Sequence, residues 1–339
     1  MADAKVHFVE REIGGRTLRI ETGRIAKLAD GCVMVSHGDS VVMCTAVRAN
    51  PRPGLDFFPM QCDYRERLSA GGSFPGGFRK REGAPNEKEI LTMRMIDRPI
   101  RPLFPKNFRC ETQVIITALS YDPDHETDVL ALCGAAAALH ISDAPIKEAV
   151  AGVRVCSVDG ELVLNPNFEQ RATADLNVVM AGTAKAIVMV EGGGKEVSED
   201  LMLQALAKGH AAIVKIVAAL DELRASVGVE RRAWEVPQDV SDETAADVKR
   251  LGNDTMVTAL AILGKHERKA SLKEARNAIV AQLTEGIDDE ADLAAKTTEV
   301  KTAWQKMETA HVRQKVVSDG VRIDGRAPDE IRDIWCEAT

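Results

Sequence analysis

Aromatic side chains are scarce in this 339-residue chain, where Phe, Tyr and Trp make up only 4%. Hydrophobic residues reach 45%, so a substantial core can form, and aliphatic side chains must fill it. No stretch approaches the roughly 18 consecutive apolar residues of a membrane span. The opening MADAKVHFVERE lacks the apolar centre of a secretory signal. The cysteines at 32, 44, 62, 110, 133, 156 and 336 are odd in number and scattered, with no C-x-x-C pair. That pattern argues against a disulfide framework and reads as reduced thiols in a cytoplasmic protein. There is no P-loop, no dinucleotide fingerprint and no nucleophile motif, and Gly192-Gly193-Gly194-Lys195 lacks P-loop spacing and reads as a turn. A small-molecule β/α enzyme therefore finds no support.

What is present is a local excess of positive charge in an acidic chain. The net charge is −8, yet Arg65 to Arg109 holds eleven cations against five carboxylates. Such asymmetry points to a focused anion site. Within it, Pro75-Gly76-Gly77 leads into Phe78-Arg79-Lys80-Arg81, followed by Arg94, Arg98 and Arg101, with prolines at 99, 102 and 105. A ring for stacking beside cations for phosphates suits single-stranded nucleic acid. Phe78, Arg79, Lys80, Arg81, Arg94, Arg98 and Arg101 are thus the candidate RNA-binding residues. The alternative for Phe78 is a buried loop anchor. For Arg98 and Arg101 it is an ion pair with Asp97. His210 reads as structural. His125 sits beside Asp122, Asp124, Glu126 and Asp128 in a pattern that fits no standard ligand spacing, so no metal residue is assigned.

The chain changes character along its length. Alternation predicts β structure over 6–60, at 112–121 and in four runs between 151 and 191. A helix is predicted over 86–96, with Asn86 as N-cap and Glu89 completing a capping box, ending before Pro99. The run VLALCGAAAALHI predicts a closely packed helix over 128–141. From Ser198 the pattern is helical, with a linker at 237–241 and further helices over 242–263, 271–283 and 288–311. Near the end, Asp319 to Arg332 distantly echoes Gly14-Gly15-Arg16 through Ile25, and the chain reads as a fragment whose next domain is cut short.

Five motifs in order carry a resemblance: DYRER at 63–67, PGGFRKREG at 75–83, DRPIRPLFP at 97–105, SEDLMLQALAKGH at 198–210 and RIDGR at 322–326. They resemble the polynucleotide phosphorylase family. The resemblance implies an α+β fold: an RNase PH-like β/α domain of the ribosomal protein-type β-α-β fold, followed by an all-α domain. It divides the chain into a first RNase PH-like domain at 1–197, a helix and linker at 198–236, an all-α domain at 237–312, and a linker with the truncated start of a second RNase PH-like domain at 313–339. It implies a polyribonucleotide nucleotidyltransferase that degrades mRNA 3′ to 5′ using inorganic phosphate as co-substrate. It also implies Mg²⁺ or Mn²⁺, a homotrimeric ring, single-stranded RNA as partner, association with an RNA-degradation complex, and no membrane.

In this family the active site belongs to the second RNase PH-like core. Here Cys133-Gly134 matches that core's helix motif, but Glu126-Thr127-Asp128 replaces a serine-rich phosphate loop. Asn177 and Val179 stand where an aspartate and a lysine are expected. This segment is therefore expected to hold no catalytic residue and to be inactive alone, the metal ligands lying in the second core. The alternative is a catalytically silent scaffold for RNA binding and oligomerisation. Phe78-Arg79-Lys80-Arg81 matches a channel loop of two aromatics and two basic residues, except that Arg79 stands in place of the second ring.

Overall fold

The computed structural model describes residues 5–52, 55, 57–232 and 240–338. Two compact units divide the chain, Met1–Val236 and Pro237–Thr339. In the first, β1 (His7–Ile13), β2 (Arg16–Thr22), β3 (Gly31–His37) and β4 (Ser40–Arg48) form an antiparallel meander. β5 (Met60–Glu66) runs parallel to β6 (Thr112–Ser120), which pairs antiparallel with β4. The strand order is β1-β2-β3-β4-β6-β5. A parallel pair needs a crossover, supplied by α1 (Glu87–Ile100). Alternation sorts the faces: Val114, Ile116 and Ala118 point into the core, while Ile115 and Leu119 stay exposed.

A second antiparallel sheet holds β7 (Ala151–Val158), β8 (Glu161–Leu164), β9 (Leu176–Gly182) and β10 (Ile187–Gly194), in the order β10-β9-β7-β8. The helix α2 (Asp128–Ile141) packs on β3, β4 and β6 of one sheet and β7 of the other, and all its residues are buried. A helix apolar all round belongs in a core. Gly134 lets it approach β4, since a Cβ there would stand 2.4 Å from Cys44 Sγ and 3.1 Å from Val35 Cγ2. Gly134→Ala is expected to destabilise the unit by about 1–3 kcal/mol through overpacking. An unchanged urea midpoint would show that the helix can shift to make room.

The helix α4 (Glu199–Val227) starts at Ser198, whose side chain accepts from Leu201 N. It is long and apolar enough to cross a bilayer by length and composition. Here, however, it packs on β7, β1 and β9, burying Ile213, Ile216, Leu220 and Leu223. By its contacts it belongs to the first unit, so the expected boundary at 197/198 falls inside that unit. Its apolar face completes the core of the sheets rather than leading into the helices that follow. Much of the linker expected at 237–241 lies outside the described residues.

His140, buried in α2, places Nε2 2.9 Å from Asp221 Oδ1, and its Nδ1 faces Arg231 Nη2 at 3.2 Å. Arginine only donates, so Nδ1 accepts and Nε2 carries the proton. Burial lowers the ring from 6.5 to about 4, against the pull of Asp221. As pH falls through 6.5 the unfolded chain binds a proton that the folded chain refuses until about 4. Stability is therefore lost across that window. His140→Gln should flatten the decline in urea midpoint between about pH 7 and 5; a decline parallel to wild type would mean the ring titrates alike in both states.

In the second unit, α5 (Asp242–Leu260), α6 (Lys265–Leu283) and α7 (Glu290–Asp319) enclose Val248, Met256, Ile279, Val300 and Trp304. Helix α6 begins earlier than the 271 expected, because Lys265 to Ala270 are good helix formers that carry no apolar periodicity. Helix α1 runs past Pro99, which was expected to stop it. Near a helix end proline forfeits one backbone bond, and both Pro99 and Ile100 are buried in compensation.

Candidate nucleic-acid interface

The capping box at the start of α1 forms as expected: Asn86 Oδ1 accepts from Glu89 N at 2.9 Å, and Glu89 Oε2 accepts from Asn86 N at 2.7 Å. Glu89 Oε1 also accepts from Glu66 N at 2.9 Å, tying α1 to β5. The loop before α1 is pinned at its base. Glu82 pairs with Arg67 and accepts from Leu68 N at 2.9 Å. Arg65 donates to Gly83 O at 2.8 Å. Arg65 and Arg67 are thereby structural fasteners. Arg67 holds Glu82 below the usual carboxylate range, assisted by Leu68 N–H.

Above that base the tip stands in solvent. Phe78 is fully exposed, at 104% of its reference area, so it is not a buried anchor. Arg79, Lys80 and Arg81 are exposed beside it. Lys80 adopts the left-handed region at φ +50°, and its N–H donates to Gly77 O at 3.1 Å, closing a turn with Phe78 and Arg79 at its centre. A second ring, Phe74, is 80% exposed on the same loop. Phe74 precedes the basic motif and is not among the candidate residues that the sequence singles out. The signal was the symmetric Phe74-Pro75-Gly76-Gly77-Phe78 in a chain this poor in aromatics.

The arginines of α1 divide. Arg94 is exposed and makes no ion pair among the described residues. Arg98 pairs with Glu191 at 2.6 Å, with both side chains about half exposed, so solvent screens that pair. Arg101 makes a forked pair with Asp97 at 2.8 and 2.6 Å and donates to Phe58 O at 2.9 Å and Met60 O at 3.0 Å. The Asp97 alternative thus describes Arg101, and its guanidinium braces the chain entering β5. Arg94, Arg98 and Arg101 line one groove of about 530 Å³ with Gln61 and Met93.

A second groove, of about 570 Å³, contains the segment compared above with a phosphate loop. Glu126 and Asp128 do not face it unpaired. Lys88 bridges Glu66 at 2.9 Å and Glu126 at 2.5 Å, and Arg171 on α3 (Phe168–Thr173) meets Glu126 at 2.7 Å. Arg154 on β7 pairs with Asp128 and donates to Asn177 Oδ1 at 2.8 Å. Burial pushes Glu126 up, but hydrogen bonds from Lys88 and Arg171 outweigh it and hold the carboxyl below its ordinary range. At Asp128 burial wins over Arg154, and the carboxyl lies above that range. Every cation here already has an internal carboxylate. The residues do not fit a divalent ion either: the Asn177 oxygen faces a guanidinium, and Val179 is buried and apolar. His210 contacts Thr183 O at 3.1 Å in a structural role.

Comparison with known proteins follows the architecture. The 3′ exoribonuclease family, domain 1, matches residues 14–145, and domain 2 of the same family matches 148–212. A third match, the polyribonucleotide nucleotidyltransferase RNA binding domain, covers 243–327. Polyribonucleotide nucleotidyltransferase of Anaeromyxobacter dehalogenans strain 2CP-1 is 46% identical over 96% of this chain and 46% of its own length. That of Aquifex aeolicus is 46% identical over 94% of this chain and 40% of its own length. The chain belongs to the polyribonucleotide nucleotidyltransferase family.

It spans less than half the length of these relatives. The family's domains 1 and 2 are two halves of one unit: the first spans most of the six-stranded sheet with α1 and α2, the second the four-stranded sheet and the start of α4. Both carry the RNase PH-like fold expected from the motifs. A solved structure of rice (Oryza sativa) Rrp46 aligns at 15% identity and TM-score 0.47 over 66% of this chain and 95% of that one. The all-α region coincides with the match described as RNA-binding, which the helical periodicity did not signal.

Proposed function

We propose that this chain is the RNA-guiding part of a phosphate-dependent 3′-to-5′ exoribonuclease that releases nucleoside diphosphates, with bond cleavage performed by a second core outside it. One observation carries this reading. Two aromatic rings stand open on a glycine-jointed basic tip, while the groove that corresponds to a catalytic centre has its cations occupied by its own carboxylates. Phe74 and Phe78 stack on bases, and Arg79, Lys80, Arg81 and Arg94 meet phosphates. Arg98 joins them when its exposed pair with Glu191 opens, and Arg101 positions the groove wall.

The domain division expected from the motifs is kept, with α4 assigned to the first unit. Mg²⁺ or Mn²⁺ belongs to the second core, where it would neutralise charge developing at the attacked phosphorus. Assembly as a homotrimer agrees with the exposed Val47, Ile115 and Leu119 on the outer face of the six-stranded sheet. A cytoplasmic location and an RNA-degradation complex as partner agree with the free cysteines and with RNA as substrate.

The test compares residues 1–339 with the same chain extended through the second core, using labelled oligoadenylate, phosphate and Mg²⁺. The short form should bind RNA and release no nucleoside diphosphate, and the extended form should release it. Release by the short form would place the chemistry in this segment.

A further inference from the structure

Helix α6 is the basic element of an otherwise acidic unit. It carries Lys265, Arg268, Lys269, Lys273 and Arg276 against Glu267 and Glu274. Arg268 is engaged, donating to Ile262 O at 2.9 Å and Leu263 O at 3.0 Å. Lys265, Lys269 and Lys273 are exposed and make no ion pair among the described residues. Arg276 follows on the same strip, and its Nε is buried without a partner among those residues. At about 100° per residue these four positions fall within roughly 80° of arc, with Glu267 and Glu274 on the opposite side. The inner face of the helix, through Leu272 and Ile279, packs against α5 and α7.

This arrangement works against the helix itself. Lys265 with Lys269, and Lys269 with Lys273, are like charges four residues apart, each pair costing about 0.2–0.5 kcal/mol. Lys265 also opens the helix, where the macrodipole disfavours cations. Glu267 in the first turn answers the macrodipole, but among the described residues no carboxylate pairs with the three lysines, unlike Lys88 or Arg154 in the first unit. The cost is removed when an external polyanion covers the strip. Each lysine is displaced by about 6 Å along the axis from the next, a step comparable to one nucleotide of an extended strand. We propose that Lys265, Lys269 and Lys273 of α6, with Arg276, track the phosphate backbone of single-stranded RNA. This rests on the RNA-guiding reading above and adds a second contact surface, held by charge rather than by stacking.

The experiment measures binding of fluorescent oligoadenylate to residues 1–339 by anisotropy, between about 50 and 200 mM salt. The variants are Lys265→Glu/Lys269→Glu/Lys273→Glu, the corresponding triple glutamine variant, and Phe74→Ala/Phe78→Ala. Helical circular dichroism verifies folding, which exposed positions should preserve. The triple glutamate variant should lose roughly tenfold or more in affinity at the lowest salt, and the slope of log K against log salt should fall by about 2 for either triple variant. The double phenylalanine variant should lose affinity with its slope unchanged. Triple variants that match wild type in affinity and slope, while the phenylalanine variant fails to bind well, would reject the stripe and leave the loop reading intact. Unchanged RNA affinity with lost binding of poly-glutamate would assign the stripe to an acidic protein partner and reject RNA. Absence of RNA binding by the unaltered chain would overturn both readings.

Discussion

Arg154→Met is expected to destabilise the first unit by about 3–5 kcal/mol, because it leaves Asp128 buried without its guanidinium. Arg154 and Asp128 are each only 8% exposed. Asp128 already lies above the usual carboxylate range through burial, so it has no reserve of solvation to draw on. The sharper result comes from the pair. Asp128→Val/Arg154→Met replaces both charges with apolar groups and should recover most of the loss, since exchanging a whole buried pair is often neutral or stabilising. Urea denaturation of the two single variants and the double variant decides the matter. Additive losses in the double variant would mean that the two side chains act independently and that the groove is not held closed by internal pairing.

Removal of the rings should act on binding and not on stability. Phe78→Ala and Phe74→Ala are each expected to weaken binding of oligoadenylate by roughly 1–3 kcal/mol, the range for one stacked base. Neither ring touches the core, so urea midpoints should stay within about 0.5 kcal/mol of wild type. Lys80→Ala should instead weaken binding most at low salt. If Phe74→Ala binds like wild type, the second ring is a bystander and the loop stacks on a single base.

Much of this fold could be read from the residues. The alternation in β4 and β6, the capping box of Asn86 and Glu89, and the apolar continuity of α2 are local signals, and each produced its element. β5 was missed although Met60, Cys62 and Tyr64 alternate with the polar Gln61, Asp63 and Arg65; its charged end, Arg65-Glu66, obscures the pattern, and it gains its place by pairing in parallel with β6. The short α3 escaped too, although Asn167 and Gln170 form a capping box that could have marked it. At the candidate site, the basic tip was legible because glycine, an aromatic and cations are contiguous. The groove was legible only in part. Glu126 and Asp128 suggested repulsion of phosphate, but their partners Lys88, Arg171 and Arg154 come from three separate elements, and only folding brings them together. For the same reason Arg101 could not be separated from Arg94 by sequence: its acceptors at Phe58 and Met60 lie some forty positions earlier.

Ultraviolet crosslinking of labelled oligoadenylate to the unaltered chain, with adducts mapped by peptide mass, tests most directly where RNA is held. Adducts are expected on the peptide containing Phe74 and Phe78, with none on the peptides carrying Lys88, Arg154 and Arg171. Adducts confined to the peptides of that salt-bridged groove would contradict the separation of guidance from chemistry.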